Sequence, residues 1–271
     1  DVVLPTESAK SVVLVGTGIE TDRLFTSVMT DHGKLGKSLA DAAIQSKAVK
    51  VGILSGNQSQ LGMRQRLKSV KDNLAEAGIE ISWILSEKEL DKKMRNVEYF
   101  TENPVDTVIS LDNDDTEKAV DIILNDDSIS WKLYGEGRSE KLIYYLDKGT
   151  IQELAVPNEY YMGYQSIVLA AQNIRYYKDK TEQAEVEFYM VSKDNLYDEE
   201  TSRILFPAVR GPVRQMGEKK MHRKYLALAG VLSLVTVTAG GCKGSEEKDV
   251  KNIKVGVTLY SQYDTFISEL M

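Results

Sequence analysis

Few side chains in this sequence are spaced for covalent chemistry. The two histidines, His32 and His222, stand far apart, and Cys242 is the only cysteine. No internal disulfide and no thiol-rich metal pattern can therefore be read. No Ser-His-Asp elbow or phosphate loop is visible either. Gly16-Thr17-Gly18 opens like a dinucleotide fingerprint after a strand, but Thr21 stands where the third glycine belongs and no helix follows at once. The acidic run 112–115 (DNDD) reads as a strand-end turn rather than a metal site, and no cofactor is expected. What remains is polar and aromatic recognition. Asp264 and Phe266 follow a strand-like run at 255–260, at the carboxyl end where open α/β sheets hold ligands. The other reading is a generic amphipathic helix start with Phe266 in the core.

The stretch ending at Cys242 looks like an address. Residues 221–242, MHRKYLALAGVLSLVTVTAGGC, run from a start-like methionine through His222, Arg223 and Lys224 into an apolar stretch at 225–238, then into small residues. Basic end, short apolar middle and small residues before a cut are the order of a secretory signal peptide. The stretch is too short to span a bilayer, which takes about 20 apolar residues. A buried helix with a structural cysteine is the other reading, and Gly240-Gly241 would end it poorly. Cys242 after two glycines resembles the processing site of bacterial lipoproteins, with Ala239 where such sites usually carry Leu. The resemblance implies a lipidated thiol and a membrane anchor. Just upstream, 216–221 (MGEKKM) can be encoded by GGA-GAR-AAR-AAR-ATG, a purine-rich ribosome-binding sequence ahead of a start codon. Residues 211–220 are accordingly read as a linker or as translated intergenic DNA.

The candidate groups need a scaffold, and the composition allows one. At 271 residues and 42% hydrophobic content the chain can build one large or two ordinary domains. A net charge of −7, with no basic stripe outside 221–242, argues against a nucleic-acid partner. Asp1 opens inside a strand-like run, 1–4, so further sequence ahead of it is expected. From 1 to about 210, short β-branched runs alternate with longer amphipathic stretches, the signature of βα units and a parallel sheet. Strands are expected at 12–15, 50–54, 80–85, 105–111, 131–134, 151–156 and 186–191. Helices are expected at 36–45, 61–77, 88–100, 114–124, 140–148 and 160–177, with acidic residues opening the fourth and Gly149 closing the fifth. Five βα units over 50–156 make one doubly wound lobe, whereas 1–45 and 160–191 hold too few strands for a second.

Thr30-Asp31-His32 followed by Gly36, ILSGNQSQLGMRQRLKSVKDNL at 53–74, VISLDNDDTEKAV at 108–120, LYGEGRSEKLIYYLDKGTI at 133–151 and VSKDNL at 191–196 appear in that order. Together they resemble the sugar-binding type I periplasmic binding proteins, whose domain is shared with lactose-repressor-type regulators. NIKVGVTLYSQYDTFISELM at 252–271 is similar to the opening of galactose/glucose-binding members. The resemblance implies an α/β fold of two doubly wound parallel-sheet lobes, with the N-terminal lobe incomplete. It divides the chain into a remnant of that lobe (1–45), a complete C-terminal lobe (46–157), a return with a closing strand (158–210), a linker (211–220), a lipoprotein-type signal (221–242) and the start of a second sugar-binding protein (243–271).

Residue by residue, the resemblance makes Arg64 the ligand arginine and Asn113-Asp114 the Asn-Asp pair at a strand end. It makes Asp31 an aspartate near a lobe crossing, Asp264 a partner for a sugar hydroxyl, and Phe266 the stacking ring with Tyr260 nearby. Asp114 could instead cap a helix, Asp31 could be structural, and Arg66 could be a surface charge. Gly16-Thr17 replace an Asp-Arg pair, Gly137 stands where a ligand Asp is common, and Pro157 where a Gln or Asn reaches the sugar. Each lost paired bond forfeits about 1 kcal/mol or more. The implied function is non-enzymatic: an extracytoplasmic protein, lipid-anchored through Cys242, that captures a galactose- or glucose-like monosaccharide by hinge closure and delivers it to an ABC permease. A sensor feeding a membrane histidine kinase and the effector core of a lactose-repressor-type regulator stay open. If the chain folds as one piece, 254–260 is expected to pair with 12–15 as in a circular permutant.

Overall fold

The computed structural model describes residues 12–16, 26–94, 98–176 and 183–206. In chain order these form β1 (Val13–Val15), β2 (Thr26–Met29), α1 (His32–Gln45), β3 (Lys50–Leu54), α2 (Leu61–Glu76), β4 (Glu80–Leu85), α3 (Glu87–Lys93), α4 (Glu98–Glu102) and β5 (Thr107–Ser110). They continue with α5 (Asn113–Asn125), β6 (Lys132–Glu136), α6 (Glu140–Lys148), β7 (Ile151–Pro157), α7 (Glu159–Tyr176), β8 (Gln183–Glu185), β9 (Phe188–Ser192) and α8 (Glu199–Leu205). The expectations for 1–4 and 211–220, the signal-like 221–242 with Cys242, the residues Tyr260, Asp264 and Phe266, and the pairing of 254–260 fall outside the described residues.

Two sheets result, a three-stranded one ordered β1-β2-β8 and a six-stranded one ordered β4-β3-β5-β6-β7-β9. The mixed α/β architecture with parallel sheets is the one expected. The closing strand departs from the expected parallel run: β9 pairs antiparallel with β7, Leu154 facing Val191. Val51, Ile53, Leu54, Val108 and Ile109 are wholly buried, because parallel strands covered by helices on both faces must be apolar on both sides. One face of the six-stranded sheet packs on α1 and α2 through Leu35, Leu39, Ala43, Val70 and Leu74. The other packs around Trp83, Phe100 and Trp131, whose ring centroids lie 5.2 to 6.0 Å apart.

That aromatic cluster bears on the helix expected at 88–100, which is two short helices. The capping box of Ser86 and Glu89 starts α3, which buries only Leu90. α4 separately buries Phe100 edge-on against both tryptophans. Three further elements were not expected: β2, β8 and α8. β2 takes its place through its partners, lying between β1 and β8 with Thr26 and Ser27 buried despite their hydroxyls. Val13, Val15, Val28 and Val186 pack against Met162 and Leu169 of α7 to make the small core of this sheet.

Candidate functional site

Because β3, β5 and β6 are parallel neighbours, their carboxyl ends line one edge of the six-stranded sheet. The loops that leave this edge carry most of the polar groups singled out above. Gly137, just past β6, has φ +140, and a Cβ there would stand 2.5 Å from Leu142 Cδ1 and 2.6 Å from Asn113 Oδ1. Together with the Asn113 Cα at 3.0 Å and a backbone conformation that other residues rarely adopt, this crowding strains any side chain at 137. Asn113 itself braces the two loops. Its Oδ1 accepts from the backbone N–H groups of Arg138 (3.2 Å) and Ser139 (3.3 Å), and its Nδ2 donates to Glu117 (3.2 Å).

The helix cap is Asp112 rather than Asp114, since Asp112 Oδ1 accepts from the Asp115 N–H at 2.8 Å while Asp114 lies exposed in the first turn. Asp115 is fully buried and accepts from the Gly56 N–H at 3.2 Å, tying the β3 loop to α5. Burial, reinforced by the neighbouring Asp112 charge, pushes the Asp115 carboxyl up to about 7. Asp112 is raised as well, chiefly by burial. Arg64 folds back on its own loop, Nη1 donating to the carbonyls of Ser59 (2.9 Å) and Gln58 (3.2 Å). Arg64 in the first turn of α2 and Asn113 and Asp114 in the first turn of α5 thus follow adjacent strands, β3 and β5.

Beneath this edge lies a buried polar network. Arg66 is not a surface charge: it is 5% exposed, because it shares with Gly62, Val70 and Leu74 the stripe of α2 that faces the sheet. Its Nη1 donates to the Leu111 carbonyl at 2.5 Å and lies 3.3 Å from Glu136 Oε2. Its Nε donates to His32 Nδ1 at 3.1 Å. His32 Nε2 in turn meets the Gly16 carbonyl at 2.8 Å. Burial first, and the Arg66 charge second, push the His32 imidazole down to about 4. A second buried pair, Arg138 with Glu159 at 2.9 Å, anchors the β6 loop to the start of α7. Pro157 ends β7, and the following Asn158 caps α7 by accepting from the Tyr161 N–H at 3.1 Å.

Asp31 lies apart from the edge loops. It caps α1 by accepting from the Lys34 N–H at 2.9 Å, the bond that most lowers its carboxyl. It lines a cavity of about 630 Å³ with Gln65, Asp72, Asn73 and Glu185. Among the described residues no group of His, Cys, Asp or Glu is placed to hold a metal ion, and no helix is long and apolar enough to cross a membrane.

Comparison with known proteins adds an independent line. The periplasmic binding protein domain model matches residues 7–178. No curated protein matches significantly. Among solved structures, a carbohydrate transporter solute-binding protein from Agrobacterium radiobacter, in complex with D-arabinose, superposes with a TM-score of 0.65 at 19% identity over 72% of this chain and 70% of its own. A glucose-galactose binding protein from Geobacillus stearothermophilus gives 0.60 at 22% identity, covering 69% of each chain. An ABC transporter solute-binding protein from Agrobacterium vitis with bound D-fucose gives 0.64 at 14% identity, over 72% of this chain and 71% of its own. At these identities the structures establish a shared fold.

Proposed function

This chain belongs to the periplasmic binding protein domain family, and from that premise we propose that it captures a monosaccharide outside the cytoplasm by hinge closure and hands it to an ABC permease. The observation that carries the proposal is the edge formed by the carboxyl ends of the neighbouring strands β3 and β5, where the first turn of α2 bears Arg64 and the first turn of α5 bears Asn113 and Asp114. Planar amide, carboxylate and guanidinium groups bond vicinal hydroxyls in pairs, and bonds to a charged group contribute about 1.5–3 kcal/mol each. Two backbone N–H groups fill Asn113 Oδ1 and fix the amide before any ligand arrives, so Asn113 would offer a sugar hydroxyl its remaining Nδ2 hydrogen rather than a paired bond. No covalent step is involved. A sugar that touches both lobes stabilises the closed state by its differential affinity for it, and the permease reads that state.

Structural neighbours described with D-arabinose, D-fucose, myo-inositol and alpha-D-tagatopyranose, and one described as glucose-galactose binding, support a small polyhydroxy ligand, of which a galactose- or glucose-like monosaccharide is the one proposed. Cys242 is the proposed point of lipid anchoring, on the strength of the signal-like order before it. Isothermal titration with D-galactose, D-glucose, D-arabinose and D-fucose tests the binding reading. One-to-one saturable heat is expected with at least one sugar, weakened about tenfold or more by Arg64→Ala. A cooperatively folded protein that gives no heat with any of the four would overturn it.

A further inference from the structure

Arg66 touches the chain just before each of two edge loops: Leu111 precedes Asp112-Asn113, and Glu136 precedes Gly137-Arg138. The same guanidinium reaches His32, the first residue of α1 after the chain leaves β2. The partners assign the tautomer of the ring. Nδ1 accepts from Arg66 Nε, so the proton sits on Nε2, which donates to the Gly16 carbonyl directly after β1. Gly62 leaves room for this arrangement, since a Cβ there would stand 2.5 Å from His32 Nε2. The charged groups around the ring are Arg66 from α2 and Asp31 beside it in the chain, with Glu136 of β6 behind Arg66.

We propose that Arg66, acting through His32, is a positioning residue that holds the end of β1 in register with the ligand edge of the six-stranded sheet. One guanidinium is referenced to the carboxyl ends of β5 and β6, and a single imidazole carries that reference to Gly16, directly after β1. Gly16 is fixed from a second side by its own N–H, bonded to the Val28 carbonyl at 2.9 Å. With both bonds in place, the residue that opens the loop after β1 has one orientation relative to Asn113 and Arg64. Without the imidazole bond, Gly16 keeps its N–H bond to Val28 and loses the second bond, which fixes its carbonyl.

The inference concerns sugar affinity only as far as the binding reading above holds, so its test has one arm that needs no sugar. Glutamine at 32 offers an N–H at the reach of Nε2, whereas asparagine offers an acceptor at the reach of Nδ1 and no donor that reaches Gly16. Glutamine keeps a donor for Gly16 and loses the acceptor for Arg66 Nε, so hydrogen–deuterium exchange of the ligand-free protein over 12–16 is expected to rise only about twofold in His32→Gln. In His32→Asn, and in Arg66→Lys, which loses the Nε donor, exchange is expected to be about tenfold faster. In parallel, D-galactose affinity should stay within about twofold for His32→Gln and fall about tenfold for His32→Asn. Equal exchange and equal affinity in the glutamine and asparagine variants would overturn the proposal, since a residue that merely fills space would not distinguish them. If the parent binds none of the four sugars, the binding reading fails on its own, and the exchange contrast still decides whether Arg66 and His32 position β1.

Discussion

The two sheets are built from the same kind of parallel strand, yet they bury themselves differently. In the six-stranded sheet, β3 and β5 are enclosed on both faces, and the polar groups at its carboxyl edge meet partners at each point described. In the three-stranded sheet, β1 is only half-buried along its length. The hydroxyls of Ser27 in β2 and of Thr30 just after it are buried without a hydrogen-bond partner among the described residues. Its helix α7 leaves Tyr160, Tyr161, Tyr164 and Ile167 exposed. The difference locates stability in one sheet and adjustability in the other. A sheet held by a small apolar core depends for its aim on a few directed bonds, of which the His32–Gly16 contact is one.

The sharpest way to break this contrast is to cut the network that joins its halves. Arg66→Met removes one partner of the buried ion pair with Glu136 and the bond to Leu111, and should cost about 3–5 kcal/mol in urea unfolding. A loss under about 1 kcal/mol would mean the network is incidental. Core truncations then weigh the sheets separately. Leu39→Ala, in the core of α1 and α2, should cost about 2–5 kcal/mol of global stability. Val28→Ala, in the three-stranded sheet, should cost about 1–2 kcal/mol and show first as faster amide exchange in β1 and β2.

Acid separates the regions by sign. His32 stays neutral in the fold down to about 4, while the unfolded chain takes up its proton near 6.5. Stability from this group is therefore lost as pH falls from about 6.5 to about 4, by roughly 3 kcal/mol in all. Asp115 works the other way. The folded carboxyl keeps its proton up to about 7 while the unfolded one releases it near 3.8, so its contribution is lost as pH rises through that window. Asp112, also raised, adds to the second trend. The parent should show a flattened urea midpoint between about pH 4 and 6.5. Asp115→Asn should leave a steeper decline toward acid, and His32→Gln a decline toward neutral. Parallel profiles for both variants would show that neither group is linked to folding. The smallest expected effect is just past β2, where Thr30→Val removes a buried hydroxyl with no partner among the described residues. It should be neutral or stabilise by up to about 1 kcal/mol.

Much of the larger sheet was legible because local signals and burial agree there. β3, β4 and α6 have the expected bounds, and α2 begins at the expected Leu61, since apolar runs, Gly78 and the Gly149 cap point the same way as the packing. β2 and β8 were missed because Thr26, Ser27 and Gln183 carry no strand-like apolar pattern; pairing alone makes them strands. At the site, Arg64 and Arg66 are two residues apart on one helix and so face different ways. The spacing of Gly62, Arg66, Val70 and Leu74 at every fourth residue already marked Arg66 as inward. The cap at Asp112 was similarly readable from its place three residues before Asp115, whose N–H it accepts. The His32–Gly16 bond was not readable, because it joins α1 to the residue directly after β1, a pair that only the three-dimensional fold brings together.

The most direct measurement is a crystal structure of the full chain grown with D-galactose at saturating concentration. Sugar density at the carboxyl edge of the six-stranded sheet, within hydrogen-bonding distance of Arg64 and of the Asn113–Asp114 turn, is the predicted result. An empty edge, or sugar seated only in the cavity lined by Asp31, Gln65 and Asn73, would contradict the assignment of the ligand site to that edge.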